Sequence, residues 1–142
     1  MKEAMGGAVT NESRQKVMKI LGECGCYFLS LVQVAERLTG KRIDAVEAYL
    51  DALIKKRTDG EATMLDPAAV LSAMAGGIWT VRKETPDYVL RDGETEVLVF
   101  QSGAYTHFVL GNGAGGVLYD PLGNSNTVAH GRIIGKRIFA RV

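Results

Sequence analysis

The chain has 142 residues, 46% of them hydrophobic and 23% charged, with a formal net charge of +1. That length suits one domain, 1–142, able to bury a core without disulfides, and the near-neutral balance offers no polycationic surface for nucleic acid or an anionic membrane. No apolar run approaches the ~20 residues that span a bilayer, and the N-terminal stretch lacks the apolar core of a signal peptide, so the expected location is the reducing cytoplasm. Two cysteines in such a compartment are not a disulfide framework, and an i,i+2 ring between Cys24 and Cys26 would be strained.

Residues 1–10 read as a loose tail. Asn11 or Ser13 is placed to cap a helix over 12–21, with Val17, Ile20 and Leu21 on its apolar stripe and Gly22 stopping it. A second helix is expected over 26–38, where Phe28, Leu31, Val32, Ala35 and Leu38 recur at three- and four-residue steps before Gly40. Asp44 caps a third, with Glu47 three residues on, and Val46, Tyr49, Leu50, Leu53 and Ile54 turned inward. Lys55-Lys56-Arg57 suits its solvated end. Asp66-Pro67 opens a fourth helix, with proline where a missing N–H costs nothing, and Gly76-Gly77 closes it.

The pattern then changes. The segments 78–84, 95–102, 105–110, 116–120 and 132–142 are short, rich in β-branched residues and separated by Gly, Asn, Asp and Pro. Helices first and strands after them predict an α+β fold, with N-terminal helices packed on a C-terminal antiparallel β-sheet. Gly111, Gly113 and Gly116 match the spacing G-x-G-x-x-G. That pattern binds dinucleotide phosphate only where it opens a helix, and here a strand follows. The stretch reads as a glycine-rich hairpin loop.

The hairpin brings chemistry-bearing residues together. With Leu110 opposite Val117, His107 lies opposite Asp120, and directly opposed residues share a face with Cβ atoms ~5 Å apart. A histidine held by a carboxylate is a base with a fixed tautomer. Its natural partner is Cys26, placed at a helix start where the dipole and an imidazolium lower a thiol's pKa. Trp79, Tyr88 and Phe100 are candidates for core or for the wall of a substrate groove. His130 is the alternative base, and Asn124 and Asn126 are alternative orienting residues, should the hairpin pair in another register.

In order and spacing these motifs resemble papain-like cysteine peptidases, most closely the bacteriocin-processing group that cleaves double-glycine leaders. "CYFLSL" (26–31) is similar to that group's C-G-P-x-S-L at Cys26, Ser30 and Leu31. "HFVL" (107–110) is similar to its H-[WFY]-V-V, and Asp120-Pro121 to the D-P of its third member. The resemblance implies a papain-like fold and a hydrolase working through an acyl-enzyme on a peptide or protein substrate. In it Cys26 is the nucleophile, His107 the general base and acid, and Asp120 the orienting residue. It implies no cofactor and no metal.

Two features depart from the pattern. The family's oxyanion-hole glutamine sits about six residues before the nucleophile, where this chain has Ile20, and its nearest upstream glutamine is Gln15. Tyr27 and Phe28 replace Gly-Pro. A second reading is therefore a catalytically inactive papain-like binding or structural module, of the kind a phage or mobile element encodes. A third is a zinc site of Cys24, Cys26, His107 and His130, although C-x-C is tighter than the usual zinc spacing.

Overall fold

The computed structural model describes residues 10–142, so the tail expected over 1–10 lies, Thr10 apart, outside the described residues. Helix α1 (Asn11–Cys24) starts from Thr10, whose hydroxyl accepts the Ser13 N–H. The cap is thus Thr10 rather than Asn11 or Ser13. Gly22 does not stop the helix: it sits on an exposed face, where glycine costs only about 1 kcal/mol. The break comes at Gly25, and α2 (Cys26–Thr39) sets off at 102° to α1. A Cβ on Gly25 would stand 2.6 Å from the Leu21 Cα, so the corner closes only around glycine.

Helix α2 buries Phe28, Leu31, Val32 and Ala35, as the apolar spacing predicts, and left-handed Gly40 ends it. Asp44 caps α3 (Ala45–Ile54) by accepting the Val46 and Glu47 N–H groups. Asp66 caps α4 (Pro67–Ala75) through Ala69. Leu38 and Ile54, expected inward, stand 52% and 62% exposed in the last turns of their helices.

The five strands are β1 (Trp79–Glu84), β2 (Glu94–Ser102), β3 (Tyr105–Gly111), β4 (Val117–Tyr119) and β5 (Arg132–Arg141). They form one antiparallel sheet in the order β1-β5-β2-β3-β4. The chain is thus α+β, with four helices followed by the sheet. One face carries Val97, Leu110 and Phe139 into the core built by α1–α4, while Leu98, Phe100 and Val109 form a smaller cluster with Val128 and Ile133. Each large apolar side chain fully buried here contributes roughly 1.5–3 kcal/mol. A short helix, α5 (Asn126–His130), precedes β5, capped by Ser125 through the Val128 N–H.

The glycine-rich loop holds an anion after all, but an internal one. Glu96, on central strand β2, is 1% exposed. It accepts the Gly113 and Gly115 N–H groups at 2.9 and 3.0 Å and pairs with Lys136 on β5 at 2.8 Å. Lys136 in turn donates to the Tyr88 carbonyl. Alternate N–H groups of the loop thus close on one carboxylate, while the Ala114 N–H between them turns to the Asn112 side chain. Gly111 has no room for a side chain, since a Cβ there would meet Glu96 at 2.5 Å.

Breaking this buried pair strands an uncompensated ammonium. Glu96→Ala should destabilise the fold by about 3–5 kcal/mol in urea titration. Exchange of the Gly113 and Gly115 amides should also accelerate. Unchanged amide protection would mean that Glu96 does not hold the loop.

Candidate active site

Cys26 opens α2, half-buried, with the Tyr27 N–H of the first turn bonded to its thiol. The Phe108 N–H of β3 points at its sulfur, 3.5 Å away. Ser30, one turn on, ties the same two elements: its hydroxyl donates to the Cys26 carbonyl at 2.8 Å and lies 3.4 Å from the Phe108 carbonyl. The rings of Tyr27 and Phe108 stack with centroids 4.4 Å apart. The residue after the cysteine therefore packs on the residue after the histidine, which registers Cys26 against His107.

His107 Nε2 and Asp120 Oδ1 are 2.6 Å apart, and both side chains are about 95% buried. The pairing expected from the hairpin is present, but not through the expected register. A bulge between Leu110 and Gly111 makes Leu110 face Tyr119 rather than Val117, and β4 ends at Tyr119. Asp120 therefore lies in the turn beyond the strand, where it accepts N–H bonds from Leu122 and Ser125. The turn, rather than a cross-strand position, aims the carboxylate. With Nε2 committed to Asp120, Nδ1 is the nitrogen left for Cys26.

The electrostatics follow from these contacts. Burial opposes ionisation of the Cys26 thiol. The His107 hydrogen bond, the Phe108 N–H, the imidazolium charge and the Tyr27 N–H outweigh it and hold the thiol below its usual value. Burial likewise disfavours imidazolium at His107, but hydrogen bonds to Cys26 and Asp120 push its pKa up. Asp120 loses solvation too, yet its bonds to His107 and to the turn keep it ionised below the usual carboxylate range. A depressed thiol beside a raised imidazole moves both groups toward a thiolate–imidazolium pair.

The family model described as "Protein of unknown function, DUF261" matches residues 9–141. The chain belongs to that family. No curated protein and no solved structure matches it.

In this DUF261 chain Cys26 and His107 line a cleft of about 790 Å³. Its walls come from the end of α1, the loop before α4, β1 and β5, with Met64, Val81 and Phe108 among the apolar contributors. Cys24 also lines it, but exposed, and it donates to the Ile20 carbonyl. Burial, then the charge of Glu23, raises the Cys24 pKa, so the two cysteines are oppositely tuned. Trp79 and Phe100 are buried core, and Tyr88 bonds Glu94; none of the three lines the cleft.

The other candidates separate from the site. His130, Asn124 and Asn126 are exposed, and none lines the cleft. Among the described residues no three His, Cys, Asp or Glu side chains group as metal ligands, so the zinc set of Cys24, Cys26, His107 and His130 is not assembled. Ile20 and Gln15 lie on α1, and no Asn or Gln side chain lines the cleft. The donors to the Cys26 sulfur are backbone N–H groups, that of Phe108 on β3 and that of Tyr27 in the first turn of α2.

Sequence reasoning named three side chains that the structure brings to one place, and it missed what supports them. Ser125 is 7% exposed, caps α5 and donates its N–H to Asp120. Its signal was present as Ser125 three residues before Val128, an N-cap spacing overlooked because the helix is so short. Ser30 was visible as a motif match without a role.

Replacing His107 with Ala removes the contacts that offset burial, so the Cys26 pKa should rise. Alkylation of Cys26 by iodoacetamide at pH about 6 should slow, because the thiolate fraction falls as the pKa rises. An unaltered pH–rate curve would disconnect the two residues. Ser30→Ala should lower the same rate several-fold and leave far-ultraviolet circular dichroism unchanged; a full wild-type rate would remove Ser30 from the positioning of Cys26.

Proposed function

We propose that the protein is a cysteine-dependent hydrolase with a papain-like arrangement, cleaving an amide of a peptide or protein through an acyl-enzyme. The observation that carries this reading is the geometry at the cleft: His107 bonded to Asp120 at 2.6 Å, and the Cys26 sulfur at the start of α2 facing the N–H of Phe108, the residue after His107. The Cys26 thiolate attacks the carbonyl carbon, and the carbonyl π pair moves to oxygen. The negative oxygen faces the N–H groups at the start of α2. As the C–N bond breaks, the His107 imidazolium gives its proton to the leaving amine. Neutral His107 then takes a proton from water, whose oxygen attacks the thioester and releases the acid and the thiolate. Asp120 holds the imidazole in one tautomer throughout. A free nucleophilic thiol of this kind suits the reducing cytoplasm.

A second reading, a papain-like module that binds without turnover, rests on one observation: no side-chain amide lines the cleft. Removing one oxyanion donor from such sites costs about 100–1000-fold in rate. The two readings part at the acyl-enzyme.

Iodoacetamide at pH about 6 should alkylate the protein well above the rate of a small free thiol. Cys26→Ala should abolish the fast phase and Cys24→Ala should not. With p-nitrophenyl acetate the wild type should give a stoichiometric nitrophenolate burst, followed by steady release. A burst with no later turnover would favour the binding module. Loss of fast alkylation from Cys24→Ala alone would overturn the assignment of Cys26.

A further inference from the structure

The cleft carries two cations that the proposed hydrolysis does not use. Lys83 on β1 and Arg137 on β5 are directly opposed in the sheet register, and both line the cleft with Cys26 and His107. Like charges directly across an antiparallel pair repel and are normally avoided. Here neither has a carboxylate within salt-bridge distance among the described residues. Neighbouring Arg82 shows the contrast: Glu84 and Glu94 neutralise it at 2.9 and 2.8 Å.

Arg137 is also held in place. Its guanidinium lies over the Phe108 ring, 5.7 Å from the centroid, and that ring stacks on Tyr27. The sequence Arg137–Phe108–Tyr27 therefore ends beside the nucleophile, because Tyr27 adjoins Cys26 and Phe108 adjoins His107. The acidic residues of the cleft, Glu23 and Glu61, belong to α1 and the loop before α4, and pair with neither cation. One wall is thus positive and unneutralised, and the helical side is negative. This polarity orients a charged chain.

We infer that Lys83 and Arg137 form a carboxylate-binding subsite, so that the substrate is a peptide carrying a carboxylate near the scissile amide. The inference rests on Cys26 being the nucleophile. Two sources supply that chemistry: an acidic side chain, or the C-terminal carboxylate of the peptide. An anion between the two cations relieves their repulsion, which an uncharged substrate cannot do.

The test compares two alkylating agents of similar size, anionic iodoacetate and neutral iodoacetamide, on the Cys24→Ala protein. The ratio of their rates at Cys26 should exceed the ratio for a small free thiol at the same low ionic strength. It should fall about threefold in Lys83→Gln and again in Arg137→Gln, and collapse with added salt. The imidazolium of His107 attracts iodoacetate in every variant, so the fall between variants isolates the two cations.

A ratio unmoved by either substitution, with iodoacetamide still fast, overturns the subsite and leaves the nucleophile standing. Slow iodoacetamide in the wild type instead overturns the nucleophile. Protection of Cys26 then separates the two sources. An acetylated, amidated alanine tetrapeptide with one glutamate should protect if side chains are read. The all-alanine peptide with a free C-terminus should protect if the terminus is read. The all-alanine amide should protect least, and equal protection by all three contradicts the inference.

Discussion

The distance between the first turn of α2 and strand β3 governs the rest of the site. The Phe108 N–H reaches the Cys26 sulfur at 3.5 Å, Ser30 bridges to both backbones, and Tyr27 lies flat on Phe108. None of these contacts forms unless α2 begins where it does. That beginning depends on Gly25, where α1 must end and α2 turn through 102° with Leu21 too close for any side chain. A single glycine between two cysteines therefore fixes which of them meets the histidine. Cys24 finishes α1 and bonds back to Ile20, whereas Cys26 starts α2 and faces β3.

The carboxylate end is held by a different device. Asp120 leaves the sheet at the end of β4 and is gripped by its own turn, with Leu122 and Ser125 donating to it. On the other side of β4, the glycine loop is anchored to Glu96, itself neutralised by Lys136 in the sheet interior. The short strand is thus pinned at both ends by buried carboxylates, one electrostatic and structural, the other facing His107. Burying two such charges is costly, and each is compensated by several N–H donors or a cation, as burial of an anion requires.

Much of this was legible in the chain. Apolar residues at three- and four-residue steps marked α2, and Asp44 and Asp66-Pro67 marked the starts of α3 and α4, because caps and stripes are local effects. The meeting of His107 with Asp120 was legible in outcome but not in cause. A bulge between Leu110 and Gly111 shifts the pairing, and Asp120 reaches His107 from a turn. Bulges depend on tertiary strain and leave no reliable local mark. Gly22 looked like a stop and was not, because an exposed helical glycine is merely weak, while Gly25 was decisive for a reason that only packing against Leu21 discloses. The opposition of Lys83 and Arg137 was invisible, since the partners that the β1–β5 register joins lie 54 positions apart in sequence.

The contacts of His107 and the backbone N–H groups lower the Cys26 pKa despite the burial that opposes it. The direct measurement is a pH titration of thiolate ultraviolet absorbance in the Cys24→Ala protein, with Cys26→Ser in the same background as the blank. The account predicts a midpoint below the ~8.5 of a free thiol, shifted upward by His107→Ala. A midpoint at or above that value, indifferent to His107, would mean that burial wins and that Cys26 is a core thiol.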